Sequence, residues 1–310
     1  MQQMEDVRTR KQVLIDAAID NNEPELLEHV LKINAQERME DYENRRLVEA
    51  ATRKNSIPCL RYLVEHGLSI EHIDISGGEI SILTLEFLLA HGWDINSTGT
   101  PRSYRSPFMW SCIHDREKLV WCLEHGASLA TPWQEPHRKP HEPILDRVAW
   151  GGDIATFEFL RSKGAPLGPC TLHQAVLRAA FCHDFSDDPK KDDEKQRQGR
   201  AQYTQSMAMV RYLIKVVSLD VNKEDFPPDT KWLQGVWGTP LLYIVLADPE
   251  AERNARELVW FLLDRGADSK PALMEAKAFG GHAAFIEWVE AWEQTRKEKK
   301  NNSRCTVQWI

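Results

Sequence analysis

The chain has 310 residues, 42% of them hydrophobic and 28% charged, with a formal net charge of −8. That length suits one long array or about two compact domains, and the acidic balance argues against a global nucleic-acid footprint. No apolar run approaches the roughly 18 residues of a membrane helix, and the polar start MQQMEDVRTRKQ lacks the apolar core of a signal peptide. Six cysteines (59, 112, 122, 170, 182 and 305) are scattered without a C-x-x-C pair, which reads as reduced thiols in cytosol or nucleus.

In chain order, residues 1–10 are expected to be a polar tail. VLIDAAIDNN and LEHVLKIN then predict a first helix pair, with Leu27 and Val30 one turn apart and Asn34 at the close. RRLVEAATRKN leads into CLRYLVEHGLSI. The next phrase, TLEFLLAHGWDI, follows too soon for a full helix to precede it, so the first helix around DISGGEIS is expected to be reduced or lost. SPFMWSCIHD precedes LVWCLEHGASL, and EPILDRVAWGG precedes the helix ending at Gly164. CTLHQAVLRAAF is separated from MVRYLIKVV by the charged stretch 183–203, which is expected to be a mobile loop. A second insertion, 222–237, precedes TPLLYIVLAD and ELVWFLLDRGADS. PALMEAKAFGG and FIEWVEAWE complete the series, and a polar, basic tail is expected over 294–310.

These phrases are one unit written repeatedly, the signature of a repeat array. Taking Gly67, Gly92, Gly126, Gly164 and Gly266 as anchors, Leu60, Leu85, Leu119, Phe157 and Val259 stand seven residues earlier. Tyr62, Phe87, Trp121, Phe159 and Phe261 stand five earlier, and Leu63, Leu88, Cys122, Leu160 and Leu262 four earlier. Positions three apart share a helical face, and each glycine sits where a helix ends at positive φ. Degenerate copies place anchors at Asn34, Val217 and Glu293. Pro107, Pro143, Pro240 and Pro271 fall near first-helix starts, where a missing N–H is harmless.

GTPLLYIVLA, CTLHQAV, AAIDNNEPELLEHVL and LLDRGADS together resemble the ankyrin repeat family over about residues 11 to 293. The resemblance implies an all-α solenoid of about eight stacked helix-turn-helix repeats with irregular finger loops. It also implies a role in protein–protein interaction through a concave face of fingers and first helices. Only His173 keeps the family's opening histidine; Leu242, Met109 and Leu145 replace it.

Function lives in the site rather than the fold. Trp93, Arg102, Tyr104, Arg105, Trp133, Trp232 and Trp237 fall in expected loops or fingers, and such residue types anchor interfaces. They form the candidate partner-binding set; local loop packing explains them equally well. Trp121, Trp260 and Trp288 in second helices read as packing, and Trp110 and Trp150 in first helices go either way. His66, His91 and His125 precede anchor glycines, where an imidazole can hydrogen-bond the last carbonyls. His137 and His141 are four apart, but Pro136, Pro140 and Pro143 break the helix that zinc ligation would need.

The reading is therefore a non-catalytic scaffold or adaptor for a protein partner, monomeric, with no cofactor, metal, membrane or nucleic acid. One alternative is an adaptor of a larger complex such as a ubiquitin ligase. The other is an enzyme using Cys170, His173, Cys182 and His183, which would need a depressed thiol pKa and a positioned base.

Overall fold

The computed structural model describes residues 2–33, 41–71, 73–75, 79–98, 106–130, 142–182, 193–225, 238–246 and 255–306. Among the described residues the chain forms fourteen α-helices, a short 3-10 helix and no strand. The chain is all-α. It divides into two compact units, Met1–Ser128 and Leu129–Ile310.

Unit 1 contains α1 (Gln2–Asp20), α2 (Pro24–Ile33), α3 (Asp41–Arg53), α4 (Ile57–Glu65), α5 (Ile82–Ala90), the 3-10 helix Phe108–Cys112 and α6 (Arg116–Glu124). The helices α1 and α3 pack side by side, as do α2 and α4, so first and second helices form separate layers. Leu27, Val30, Leu60, Leu63, Leu85, Leu88, Leu119 and Cys122 are all buried, as their one-turn spacing predicts.

Each second helix is delimited by its own sequence. Ser81 and Asp115 cap α5 and α6 by accepting from the backbone N–H of Thr84 and Lys118. Gly67, Gly92 and Gly126 then adopt φ of 84°, 95° and 87°. The following residue donates back five positions: Leu68 to Leu63, Trp93 to Leu88, Ala127 to Cys122. This is the Schellman stop, which satisfies carbonyls left free at the helix end.

Between α4 and α5 no helix occurs among the described residues. Ile70, Ile73, Ile75 and Ile80 are buried in its place. The segment is tied to α3 and its turn by polar bonds: Asp74 N–H to Glu49 (2.9 Å), Ser81 N–H to Asn55 Oδ1 (2.6 Å), and Asn55 Nδ2 to Glu79 O (2.8 Å). SPFMWSCIHD, expected as a full helix, forms five residues of 3-10 helix instead. Phe108, Met109, Trp110, Cys112 and Ile113 are all buried. Ser111 alone of the five 3-10 residues turns outward, and its hydroxyl donates to the Phe108 carbonyl at 2.6 Å.

Unit 2 contains α7 (Ile144–Gly151), α8 (Ile154–Ser162), α9 (Thr171–Phe181), α10 (Asp193–Lys215), α11 (Pro240–Leu246), α12 (Arg256–Asp264), α13 (Lys270–Phe279) and α14 (Ala283–Thr306). The first helices α7, α9, α11 and α13 pack in succession. Contacts along the second helices follow the same order: Phe157 edge-on to Tyr212 at 5.8 Å, Arg211 paired with Glu257 at 2.5 Å, and Trp260 Nε1 donating to Trp288 O at 3.0 Å. Gly164 and Gly266 repeat the stop seen in unit 1, with φ of 93° and 90°.

Two expectations need correction. Residues 193–203 are helical and extend α10 at its N-terminus. Glu, Lys, Gln, Arg and Ala are good helix formers, and adding residues to an existing helix avoids nucleation. Residues 183–192 lie outside the described residues. The left-handed residue after MVRYLIKVV is Ser218 (φ 63°), not Val217, because a β-branched side chain resists positive φ. In the expected tails, residues 2–10 belong to α1 and residues 294–306 to α14. Asn34 lies outside the described residues.

Candidate functional site

Of the candidate partner-binding set, Trp93 alone is among the described residues; Arg102, Tyr104, Arg105, Trp133, Trp232 and Trp237 lie outside them, as do His137, His141 and His183. Trp93 is only 4% exposed, with its ring edge-on to Phe108 at 5.9 Å. Its place is the one that Ala127, Ala165 and Ala267 take after other anchor glycines. The indole fills the volume left where the next first helix is shortened. Local packing accounts for Trp93, so it is removed from the binding set.

The histidines before the anchors do what their position predicts. Nδ1 of His66, His91 and His125 donates to the carbonyls of Tyr62, Phe87 and Trp121 at 2.7, 2.7 and 2.8 Å. Each ring also lies about 4 Å from the aromatic ring one turn earlier.

The Cys/His cluster is a packed polar core in unit 2. His173 is 1% exposed, and its Nε2–H donates to the carbonyls of Lys223 (3.0 Å) and Gly238 (2.9 Å). The proton therefore sits on Nε2, and Nδ1 has no hydrogen-bond partner among the described residues. Burial holds its pKa below the ordinary histidine value. Buried Asp225 accepts from the Gly238 N–H (2.8 Å) and the Tyr243 hydroxyl (2.5 Å), joining the finger to α11.

Asp146 on α7 is also buried and accepts from the Thr171 hydroxyl and the Cys170 N–H. Desolvation pushes its pKa up to about 7. A β-carbon on Gly168 would sit 2.2 Å from this carboxylate, so the loop closes over Asp146 only with glycine there. Burial, with the Asp146 and Asp225 carboxylates nearby, pushes the Cys170 thiol up to about 12. Such a thiol is inert at neutral pH. Cys182 is buried beside the Ser206 hydroxyl at 3.7 Å. Among the described residues no group of three His, Cys, Asp or Glu side chains could hold a metal ion.

What residue-by-residue reading missed is a surface on the first helices of unit 2. Trp150 lies in the last turn of α7, half-buried. The Arg178 guanidinium of α9 lies 5.3 Å above its ring, and Phe181, 42% exposed, has its ring 6.3 Å away. Arg147, exposed, stands one turn before Trp150. Neither arginine pairs with a carboxylate among the described residues. The helix α9 carries no acidic residue, and the single acid of α7, Asp146, is 1% exposed. The signal in the sequence was the spacing Arg147–Trp150 and Arg178–Phe181, three residues each; what it lacked was the register that sets the two helices side by side.

No protein-family model and no curated protein sequence matches the chain. No described helix is long and apolar enough to cross a membrane.

Proposed function

We propose that the chain folds as ankyrin-type helical solenoid and works as a non-catalytic scaffold or adaptor that binds a protein partner on its first-helix and finger face. The observation that carries this reading is the succession α7, α9, α11, α13. Adjacent first helices lay their outward side chains on one continuous surface, while the buried flanks shield one another. The recurring Schellman stops and the ladder along the second helices support it. A protonated, buried Cys170 and a doubly bonded His173 work against a nucleophile–base pair. A monomeric protein of the cytosol or nucleus, needing no cofactor, belongs to the same proposal.

Affinity capture with crosslinking from the native source tests it. The wild-type chain is expected to retain specific proteins, and variants Trp133→Ala and Trp237→Ala to retain less with unchanged circular dichroism. Rapid, selective labelling of Cys170 by a mild thiol reagent at pH 7, with no protein retained, would overturn it in favour of catalysis.

A further inference from the structure

We propose that the face formed by Arg147, Trp150, Arg178 and Phe181 docks a linear segment of the partner in which carboxylates flank one aromatic or branched apolar side chain. This rests on the protein-binding reading above and names the chemistry that the partner brings.

Charge complementarity selects the occupant. The chain carries 47 acidic residues against 39 lysines and arginines, yet this face shows two guanidiniums and no exposed carboxylate on either helix. Three surface cations elsewhere are held by carboxylates: Lys54 by Asp20, Lys118 by Asp115, Arg211 by Glu257. Glu142 precedes α7, at the end away from Trp150, and Gln205 of α10, which reaches the Gly151 carbonyl at 3.4 Å, is neutral.

The aromatic pair supplies the anchor. Trp150 and Phe181 bring one ring from each helix to within 6.3 Å, and Arg178 stacks on the indole while its N–H edges can fork onto a carboxylate. Buried aromatics with arginine are the residue types that dominate binding energy at interfaces. Gln174, one turn before Arg178 and half-buried, extends the stripe with a polar side chain suited to a backbone amide.

The test uses the full chain and two fluorescent peptides of twelve residues each. One has aspartates and glutamates around a central phenylalanine; the other has lysine in place of every acid. Anisotropy is expected to show binding of the acidic peptide only, weakening with added salt. Trp150→Ala should weaken it about tenfold or more, and Arg147→Gln with Arg178→Gln should remove the discrimination between peptides. Thermal melting checks that each variant folds, and Arg178→Lys should restore part of the binding.

Equal binding of both peptides, or an unchanged affinity in the glutamine double variant, overturns the assignment. So does tighter binding after Asp184, Asp187 and Asp188 are replaced by Asn, because the chain's own acidic segment would then be the occupant. If proteins captured by the wild-type chain also bind the double variant, this face is wrong while the scaffold reading stands.

Discussion

Units 1 and 2 solve one problem in two ways. Both must fill the space where a first helix meets its neighbour and the regular pattern breaks. Unit 1 fills it with apolar volume: Ile70, Ile73, Ile75 and Ile80 beside α5, then Trp93 against Phe108. Unit 2 fills it with a bonded polar network: Asp146 with Thr171, His173 with two carbonyls, and Asp225 with Tyr243. The closing turns differ in the same sense. Unit 1 places histidine before its anchor glycines, where one ring both bonds a carbonyl and stacks. Unit 2 places Lys163 and Arg265 there, over Phe159 at 5.8 Å and Phe261 at 5.4 Å. The shared backbone geometry tolerates either chemistry, so the repeat constrains shape and leaves the filler free.

The comparison breaks most visibly at the fillers. Trp93→Ala should destabilise unit 1 by about 3–5 kcal/mol, as large core truncations do. Asp225→Ala strips acceptors from buried donors in unit 2 and should cost about 3 kcal/mol. Asp225→Asn combined with Tyr243→Phe should recover part of that loss, whereas no polar substitution should rescue Trp93→Ala. Denaturant unfolding followed by hydrogen exchange reads each unit separately. Loss of protection in both units from either variant would show that the fillers do not act locally.

The pH dependence sharpens the contrast, since unit 2 buries titratable groups and unit 1 fills its breaks with apolar ones. Asp146 holds its proton up to about pH 7 in the folded chain and releases it near the ordinary carboxylate value when unfolded. The folded state then binds more protons between those values, so stability falls as pH rises from about 4 to 7. His173 acts oppositely: its lowered pKa means that the unfolded chain takes up protons first, so stability falls as pH drops below about 6.5. Asp146→Asn should flatten the decline above pH 5 by roughly 2 kcal/mol and leave the acid limb in place. Midpoints of urea unfolding from pH 4 to 8 measure both limbs; an unaltered upper limb in Asp146→Asn would exclude the carboxyl as its source.

Much of this was legible in the sequence. The one-turn spacing of Leu60 and Leu63, or of Phe157 and Leu160, together with a glycine four residues further on, specifies a helix, its buried face and its end. Those are local properties. The loss of a helix near DISGGEIS was legible from chain length alone. The 3-10 turn at Phe108 was hidden because four of its five residues are apolar and carry no helical period. The helical start of α10 was hidden because charge content was weighed above helix propensity. Trp93 looked like an exposed loop residue because the cavity that receives it is made by residues fifteen positions later. The Arg147–Trp150–Arg178–Phe181 face depends on which helices are neighbours, and no single phrase encodes that.

A second left-handed turn gives the finest test of the repeat. It precedes the second helix, at Asn22 (φ 61°), Asn55 (φ 56°) and Gly152 (φ 76°). In each pair where both turns are described, this residue stands twelve before the closing glycine, Asn55 with Gly67 and Gly152 with Gly164. The two turns share a backbone conformation but not a role. Gly164 faces open space where a β-carbon would go, so Gly164→Ala should cost only the conformational strain, about 1–2 kcal/mol. Gly164→Asn should cost less, because asparagine enters this region more readily. Asn55 adds bonds to Ser81 and Glu79, so Asn55→Gly relieves the backbone yet breaks the tie to the next repeat. Thermal denaturation should therefore rank Asn55→Gly below wild type despite its easier φ. A variant as stable as wild type would mean that the backbone turn, and not the side-chain tie, is what this position contributes.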